Sequence, residues 1–96
     1  MAKGYWVAHM DVTDPVAYDR YKSLNGVAFA EFGARFLIRG GQQEVIEGAS
    51  KSRTVVLEFP TYQAALECYH SASYQAAVKE RLGASVGDLV IVEGYE

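Results

Sequence analysis

The chain has 96 residues, of which 50% are hydrophobic and 22% charged, values that favour one compact domain and exclude two. Nine Lys and Arg stand against 12 Asp and Glu, a net charge of −3 with no basic cluster, so we expect no nucleic-acid partner. No apolar run approaches the roughly 18 to 20 residues of a membrane span, and the amino-terminal stretch is not a signal peptide. We therefore expect a cytoplasmic protein without a membrane partner.

The first part of the chain predicts a strand followed by a helix. Residues Gly4 to Val12 are mostly apolar in both alternating sets, which is typical of a strand buried on both faces. Asp14 followed by Pro15 is a helix start, and apolar residues at spacings of three and four extend this helix to about Phe32. The pair Asn25-Gly26 weakens the helix interior and allows a kink or a loosened turn. The predicted buried side of the helix comprises Tyr18, Tyr21, Asn25, Ala28, Phe29 and Phe32.

The middle of the chain predicts short strands joined by a glycine turn. Arg35 to Arg39 is a short strand, and Gly40-Gly41 supplies a turn or bulge. Gln43 to Glu47 alternates well enough for an edge strand, and residues 48–52 form a polar loop. Thr54 to Phe59 is a buried strand, which Pro60 ends because proline has no amide hydrogen for the sheet.

The last part predicts a helix in two pieces and a final strand. Thr61 caps the first piece, Ser71-Ala72-Ser73 interrupts it, and Gly83 ends the second. The single cysteine, Cys68, excludes an internal disulfide, and we expect it to be a small buried residue on the helix. Gly87 to Tyr95 is the last strand, again apolar on both faces at its centre.

This order of elements predicts an α+β fold, a ferredoxin-like βαββαβ antiparallel sheet with two helices on one face, as a single domain over residues 1–96. Two helices cover only one face, whereas several strands are apolar on both. We therefore expect a homodimer in which two sheets pack face to face as a dimeric α+β barrel and bury more than about 1,200 Å².

The sequence resembles domain-of-unknown-function family 1330, whose members are small proteins of the dimeric α+β barrel superfamily. The resemblance covers nearly the whole chain and is carried by GYWVAHMDVTDPVAY, RFLIRGG followed by EVIEG, and VVLEFPTYQAALECYHSASYQAAVKER. The chain differs from the family pattern at Thr61, usually Ser, at Cys68, commonly Trp, and at Ala72-Ser73, usually Pro-Glu. The resemblance implies the dimeric barrel. Related superfamilies include cofactor-free monooxygenases, haem-degrading enzymes and small-molecule isomerases, which place ligands between sheet and helices.

Polar side chains inside apolar strands form the first candidate site. The first strand of this fold lies between the third and the fourth, which brings His9, Glu58 and Glu93 within reach of one another if the register allows it. One interpretation is a structural hydrogen-bonded network; the other is catalytic proton transfer by His9 or Glu58. Metal binding by His9 and two carboxylates from Asp11, Glu58 or Glu93 is the minor alternative, so we expect no metal and no cofactor.

A group of arginines and tyrosines forms the second candidate site. An arginine beside several phenols and a capped helix break suits a carboxylate or a phenolic ligand. The alternative is that the tyrosines are core aromatics and that the arginines pair with Glu44, Glu47 or Glu80. We expect His70 to be exposed. The candidate ligand-binding residues are Tyr18, Tyr21, Arg39, Tyr69, Ser71, Tyr74 and Arg81.

Together these patterns favour a homodimer that binds a small acidic or phenolic molecule between helices and sheet. An enzyme of this kind would work without metal or nucleotide, with His9 or Glu58 transferring a proton and Arg39 or Arg81 holding an anionic group. The competing interpretation is a non-catalytic module that forms its own dimer or docks to another protein.

Overall fold

Four antiparallel strands and three helices make up the computed structural model, which describes residues 2–96. The elements are β1 (Gly4–Val12), α1 (Pro15–Glu31), β2 (Arg35–Arg39), β3 (Arg53–Phe59), α2 (Tyr62–His70), α3 (Ala72–Leu82) and β4 (Ser85–Glu93). The strand order is β2-β3-β1-β4, so β1 lies between β3 and β4 as the sequence predicts. The ferredoxin-like α+β fold is confirmed.

Side chains at the helix starts explain where the helices begin. Asp14 accepts a hydrogen bond from the backbone N–H of Ala17, and Pro15 occupies the first helical position of α1. The Thr61 hydroxyl accepts from the N–H of Ala64 at 3.0 Å and starts α2 in the same way. The predicted interruption of the last helix is confirmed, because Ser71 ends α2 and begins α3. None of the helices within residues 2–96 is long and apolar enough to cross a membrane.

The hydrophobic core lies between the three helices and one face of the sheet. Trp6 and Phe59 point from β1 and β3 into this core, and the Trp6 indole N–H donates to the Ala65 carbonyl of α2 at 2.9 Å. Cys68 is fully buried, as predicted, and burial raises the pKa of its thiol to about 12. The predicted buried side of α1 is confirmed for all residues up to Phe29.

The opposite face of the sheet is open to solvent, although it is rich in valine. Val90 and Val92 of β4 are 55% and 44% exposed, and Ile38 of β2 is 46% exposed. Val7 and Val56 lie between them in the β1 and β3 register. We call these five residues, together with Val86, the open face. Within residues 2–96 no helix covers it, and the loop residues Lys51 and Ser52 reach only its end at His9 and Asp11.

One prediction about local structure is wrong. Gln43 to Glu47 is a loop rather than an edge strand, because the Gln43 amide donates to the Lys51 carbonyl and accepts from the Thr54 hydroxyl. These bonds fold the segment back on itself, so it does not extend along β2. The helix α1 is continuous through Asn25-Gly26, since packing of its buried side outweighs the glycine penalty.

Strand and helix ends differ from the predicted ends by one or two residues. β3 begins at Arg53, one residue early, and β4 runs from Ser85 to Glu93 because that is the length that pairs with β1. Tyr95, predicted in the last strand, lies beyond the pairing and is fully exposed. α1 ends at Glu31, and Phe32 is its cap.

Candidate functional site

A cleft opens between α1 and α3 on one side and the covered face of the sheet on the other. It holds about 460 Å³ of atom-free space, open solvent at its mouth included, but the centre of a water molecule can occupy only about 30 Å³ of it. The narrow interior suits one small polar group of a ligand, and the rest of a larger ligand would lie at the mouth. The polar and charged residues lining the cleft are Tyr18, Tyr21, Lys22, Asn25, Arg39, Arg53, Tyr74 and Arg81.

The cleft concentrates positive charge in a chain that is acidic as a whole. Four of the nine basic residues line it, and no Asp or Glu among residues 2–96 does. Within the same residues no carboxylate lies within 4.0 Å of Arg39, Arg53 or Arg81. The local balance is therefore strongly cationic, which favours an anionic ligand.

Arg53 is the first residue of β3 and points into the cleft. Its position opposite Met10 in the sheet places it on the covered face, and its guanidinium lies 5.5 Å from the centre of the Tyr18 ring. The Arg53 Nε is the one buried side-chain nitrogen or oxygen of residues 2–96 without a hydrogen-bond partner. A side chain on Gly40, whose φ is +68°, would collide with this guanidinium, so glycine there leaves the space that Arg53 fills.

Arg81 reaches the same end of the cleft from the last turn of α3. It is only 8% exposed, and its Nη1 donates a long contact of 3.9 Å to the sulfur of Met10, which is a weak acceptor. Its guanidinium also lies 5.4 Å from the centre of the Tyr21 ring. Arg81 is thus a buried cation that interacts with aromatic rings and sulfur but with no carboxylate.

Two tyrosine hydroxyls meet beside Arg81. The Tyr21 and Tyr74 oxygens are 2.7 Å apart and buried. Burial raises the pKa of Tyr21, although the hydrogen bonds of Tyr74 and Asn25 and the charge of Arg81 oppose that rise. Burial also raises the pKa of Tyr74, and Tyr21 adds to the effect. Both phenols therefore stay protonated at neutral pH and serve as hydrogen-bond donors.

Two more basic residues lie at the mouth of the cleft. The Arg39 guanidinium lies 4.1 Å from the centre of the Phe36 ring and is exposed to water. The Lys22 ammonium is 3.4 Å from a carboxylate oxygen of Asp19, its neighbour on α1. Both charges are solvated or paired, which distinguishes them from Arg53 and Arg81.

Five of the seven predicted ligand-binding residues share this cleft: Tyr18, Tyr21, Arg39, Tyr74 and Arg81. The other two lie outside it. The Tyr69 ring packs against Trp6 at 5.9 Å and borders a separate groove with the exposed His70. The Ser71 hydroxyl accepts a hydrogen bond from the Tyr74 N–H at 3.2 Å. Ser71 therefore caps the start of α3 and holds Tyr74 in the first turn of that helix.

The three polar residues predicted inside apolar strands are not brought together. His9 pairs with Thr54, and Glu58 pairs with Tyr5, which lies four residues before His9 on β1. His9 and Glu58 are therefore about 13 Å apart along the open side of the sheet. Glu93 lies opposite Gly4 on the other side. Glu58 instead accepts hydrogen bonds from Arg35 Nε at 2.9 Å and from the Tyr5 hydroxyl at 3.4 Å. Within residues 2–96 no three side chains of His, Cys, Asp or Glu are grouped as metal ligands.

Three of the polar and charged residues that line the cleft were not predicted as ligand-binding: Lys22, Asn25 and Arg53. A sequence signal exists for two of them. Asn25 is a polar residue in the apolar stripe of α1 and is 4% exposed. Arg53 is the second residue before Val55 and the fourth before Leu57, so it shares their face of β3. The predicted strand begins at Thr54 and therefore leaves Arg53 out.

A family model described as a domain of unknown function (DUF1330) matches residues 3–95 of the chain. No curated protein matches the chain. The family match covers nearly all of the residues that form the sheet, the helices and the cleft.

Solved structures with a similar fold include proteins of unknown function and an oxygenase. A protein of unknown function from Rhodopseudomonas palustris has a TM-score of 0.77 at 19% identity, covering 99% of this chain and 84% of that one. SnoaB, a cofactor-independent oxygenase from Streptomyces nogalater, has a TM-score of 0.65 at 10% identity, covering 100% and 96%. A dimeric ferredoxin-like protein of unknown function from Bacteroides fragilis has a TM-score of 0.61 at 12% identity, covering 95% of each chain. At these identities the similarity establishes the fold alone.

Proposed function

We propose that this chain, which belongs to the DUF1330 family, binds a small organic anion in the cleft between its helices and its sheet. One observation carries the proposal: two guanidinium groups, those of Arg53 and Arg81, are directed into the cleft without a carboxylate partner. A ligand with an acidic group supplies the missing charge.

The energetic reason is that buried charges are normally paired. A buried cation without an anion loses hydration and gains no Coulomb attraction in return, so such an arrangement is rare in a purely structural role. Arginine is also the side chain best suited to a carboxylate or a phosphate, because its planar fork donates two parallel hydrogen bonds. The buried phenols of Tyr21 and Tyr74 add neutral hydrogen-bond donors beside this fork.

Catalysis in the cleft would depend on groups other than His9 and Glu58. His9 and Glu58 lie on the side of the sheet that faces away from the cleft, so within one chain they do not reach a molecule bound there. The contacts of Glu58 with Arg35 and Tyr5 support a structural role for that carboxylate. The similar fold of a cofactor-independent oxygenase makes an enzyme without metal or nucleotide the natural extension of the proposal.

We further propose that the protein forms a homodimer through the open face. The valines and Ile38 of that face form an apolar surface that monomeric proteins seldom expose. A similarly folded protein from Bacteroides fragilis is described as dimeric. This observation also supports the alternative function, a non-catalytic module whose role is its own assembly or docking to another protein.

Calorimetric titration tests the anion proposal. Benzoate is the probe, benzamide is its neutral analogue of the same shape, and phenol tests for a phenolic ligand. At pH 7 we expect benzoate to bind and the neutral benzamide and phenol not to bind, and we expect Arg53→Gln and Arg81→Gln to weaken benzoate binding at least tenfold. Arg20→Gln is the matched control, because Arg20 is an exposed arginine of α1 that pairs with Glu80 at 3.2 Å. Equal binding of benzoate and benzamide, or no binding of any anion, would overturn the proposal.

Two glycine variants test the same site without changing its charge. Gly40→Ala forces the Arg53 guanidinium to move, whereas Gly48→Ala introduces the same positive-φ strain (φ +76°) with nothing within 4 Å of the new methyl group. Anion binding should therefore weaken in the first variant and stay unchanged in the second. Loss in both, or in neither, would mean that the position of Arg53 is not what the anion requires.

A further inference from the structure

The guanidiniums of Arg53 and Arg81, neither of which has a carboxylate partner, line one cleft. Arg53 is the register partner of Met10 in the sheet, and Arg81 Nη1 is 3.9 Å from the sulfur of Met10. The aromatic rings beneath them, Tyr18 and Tyr21, are themselves adjacent, with centres 5.6 Å apart. Both arginines therefore adjoin Met10, Arg53 through its strand pairing and Arg81 through its guanidinium.

Two arginines in one cleft leave two positive charges uncompensated unless the ligand supplies negative charge. One carboxylate carries one negative charge and leaves one of the two arginines uncompensated. Two separate carboxylates need two separate sites, whereas the two arginines line a single cleft. A compact head group with two negative charges compensates both at once.

The number of free hydrogen-bond donors in the cleft also favours a head group with several acceptor oxygens. Each guanidinium has several N–H donors, and the buried Arg53 Nε has no acceptor within residues 2–96. The hydroxyl pair of Tyr21 and Tyr74 contains two hydrogens, of which only one is used between the two oxygens. Arg53, Arg81 and one phenol can thus donate to three acceptor oxygens of one ligand group.

We infer that the acidic group bound in the cleft is a dianionic tetrahedral oxyanion, such as the phosphate of a small phosphate monoester or free inorganic phosphate. This inference rests on the proposed function and names its ligand class. The interior of the cleft receives the head group, and the organic part of an ester lies at the mouth, near Arg39 and Phe36.

The charge of the head group can be read from the pH dependence of binding. A phosphate monoester gains its second negative charge with a pKa near 6, whereas benzoate keeps one charge throughout the range from pH 5.0 to 8.0. The titratable side chains lining the cleft are those of Tyr18, Tyr21 and Lys22 on α1, Arg39 on β2, Arg53 on β3, and Tyr74 and Arg81 on α3. Lysine, arginine and tyrosine side chains do not ordinarily change charge in this range. A pH effect on phosphate binding then belongs to the ligand.

One histidine requires a control. His70 borders the neighbouring groove, which Arg81 also lines, and histidine titrates near neutral pH. The His70→Gln variant keeps a polar side chain of similar size at that exposed position. Its phosphate binding should show the same pH dependence as that of the unmodified chain.

The test is calorimetric titration of the full chain with phenyl phosphate, inorganic phosphate and benzoate at pH 5.0, 6.5 and 8.0. At pH 8.0 we expect phenyl phosphate to bind at least tenfold more tightly than benzoate, and we expect its affinity to fall about tenfold by pH 5.0 while that of benzoate changes little. Arg53→Gln and Arg81→Gln should each remove most of this preference. Binding of inorganic phosphate alone also supports the inference and identifies the free ion as the source.

Other results would overturn it, and they separate the two proposals. Benzoate binding that equals or exceeds phenyl phosphate binding at pH 8.0 contradicts the dianion while leaving an anion-binding cleft. A phosphate affinity that does not depend on pH also contradicts the dianion. Failure of all three anions to bind contradicts both proposals.

Discussion

At the residue scale, Arg53 lies where it lowers the stability of the free chain. Its Nε is buried without an acceptor, and an unsatisfied buried polar group costs about 1 to 3 kcal/mol. An arginine that served the fold alone would not be expected at this position. An arginine that binds a ligand is expected there, since the ligand supplies the missing hydrogen-bond acceptor.

Replacing Arg53 with methionine should therefore stabilise the protein while removing anion binding. We expect Arg53→Met to raise the free energy of unfolding by on the order of 1 kcal/mol, because an apolar side chain of similar length needs no acceptor. Urea denaturation measures this. Arg35→Met is the comparison: it removes a 2.9 Å bond to Glu58 and should lower stability slightly. If Arg53→Met also lowered stability, Arg53 would be a structural residue.

Cys68 should make the protein sensitive to alkaline pH. Burial first, and the charge of Glu31 second, raise the pKa of its thiol from 9.0 to about 12. Between these values the thiol of the unfolded chain loses its proton while that of the folded chain keeps it, so stability falls as pH rises above 9 and is unaffected below. We expect a loss on the order of 1 kcal/mol between pH 8 and 10.

Urea denaturation of the Cys68→Ala variant at the same pH values tests whether the thiol causes this fall in stability. The variant is less stable at every pH because it leaves a small cavity, but its stability should change less between pH 8 and 10. A slope identical to that of the unmodified chain would show that the thiol ionises equally in both states.

The cleft residues also show what the sequence allows at this scale. Helical periodicity is enough to place Tyr18 and Tyr21 on the buried side of α1, and both line the cleft. Arg53 is different. The predicted strand starts at Thr54, so the prediction does not say which face of the sheet Arg53 lies on. Tyr69 illustrates the reverse: its spacing suits the cleft, but packing against Trp6 turns it toward another groove.

At the element scale, the break between α2 and α3 controls the cleft. Ser71 ends one helix and caps the next, and α3 then carries Tyr74 and Arg81 to the cleft. α2 carries none of the residues that line it. The two helix starts therefore provide a matched comparison.

Removing each cap should separate stability from binding. Ser71→Ala and Thr61→Ala each delete a side-chain acceptor at a helix start and should each cost about 1 kcal/mol. Only Ser71→Ala should also weaken anion binding, because only α3 carries cleft residues. Urea denaturation and calorimetric titration measure the two effects. Equal losses of affinity in both variants would mean that general destabilisation, rather than the position of α3, is responsible.

Most elements are predictable because their signals are local. Caps at Asp14 and Thr61 and the proline after β3 fix ends that the structure reproduces within two residues. The segment 43–47 is not predictable in this way, because its alternation is compatible with an edge strand. Only the bonds of Gln43 to Lys51 and Thr54, made in three dimensions, show that it folds back.

At the scale of the whole molecule, register decides which polar residues meet. The sequence places His9 and Glu58 on neighbouring strands, but their separation depends on pairing between residues about fifty positions apart. No local pattern specifies that offset. The pairing of the strands also creates the open face, whose apolar side chains come from all four strands.

A single charge on the open face should prevent assembly. We expect a homodimer for the unmodified chain and a monomer for Val90→Lys, because a lysine at the centre of an apolar interface loses its hydration. Val27→Lys is the control, since Val27 is similarly exposed, at 62%, on α1. Sedimentation velocity or native mass spectrometry distinguishes the masses. A monomeric unmodified chain would contradict the homodimer.

The central claim, that Arg53 and Arg81 together hold an anion, is tested most directly by nuclear magnetic resonance of the arginine Nε–H groups. The chain has five arginines, each of which Arg→Lys variants can assign. On titration with phenyl phosphate or benzoate, the signals of Arg53 and Arg81 should shift strongly and saturate together, while those of Arg20 and Arg35, paired with carboxylates elsewhere, stay in place. Unchanged Arg53 and Arg81 signals, or shifts confined to Arg20 and Arg35, would contradict the claim.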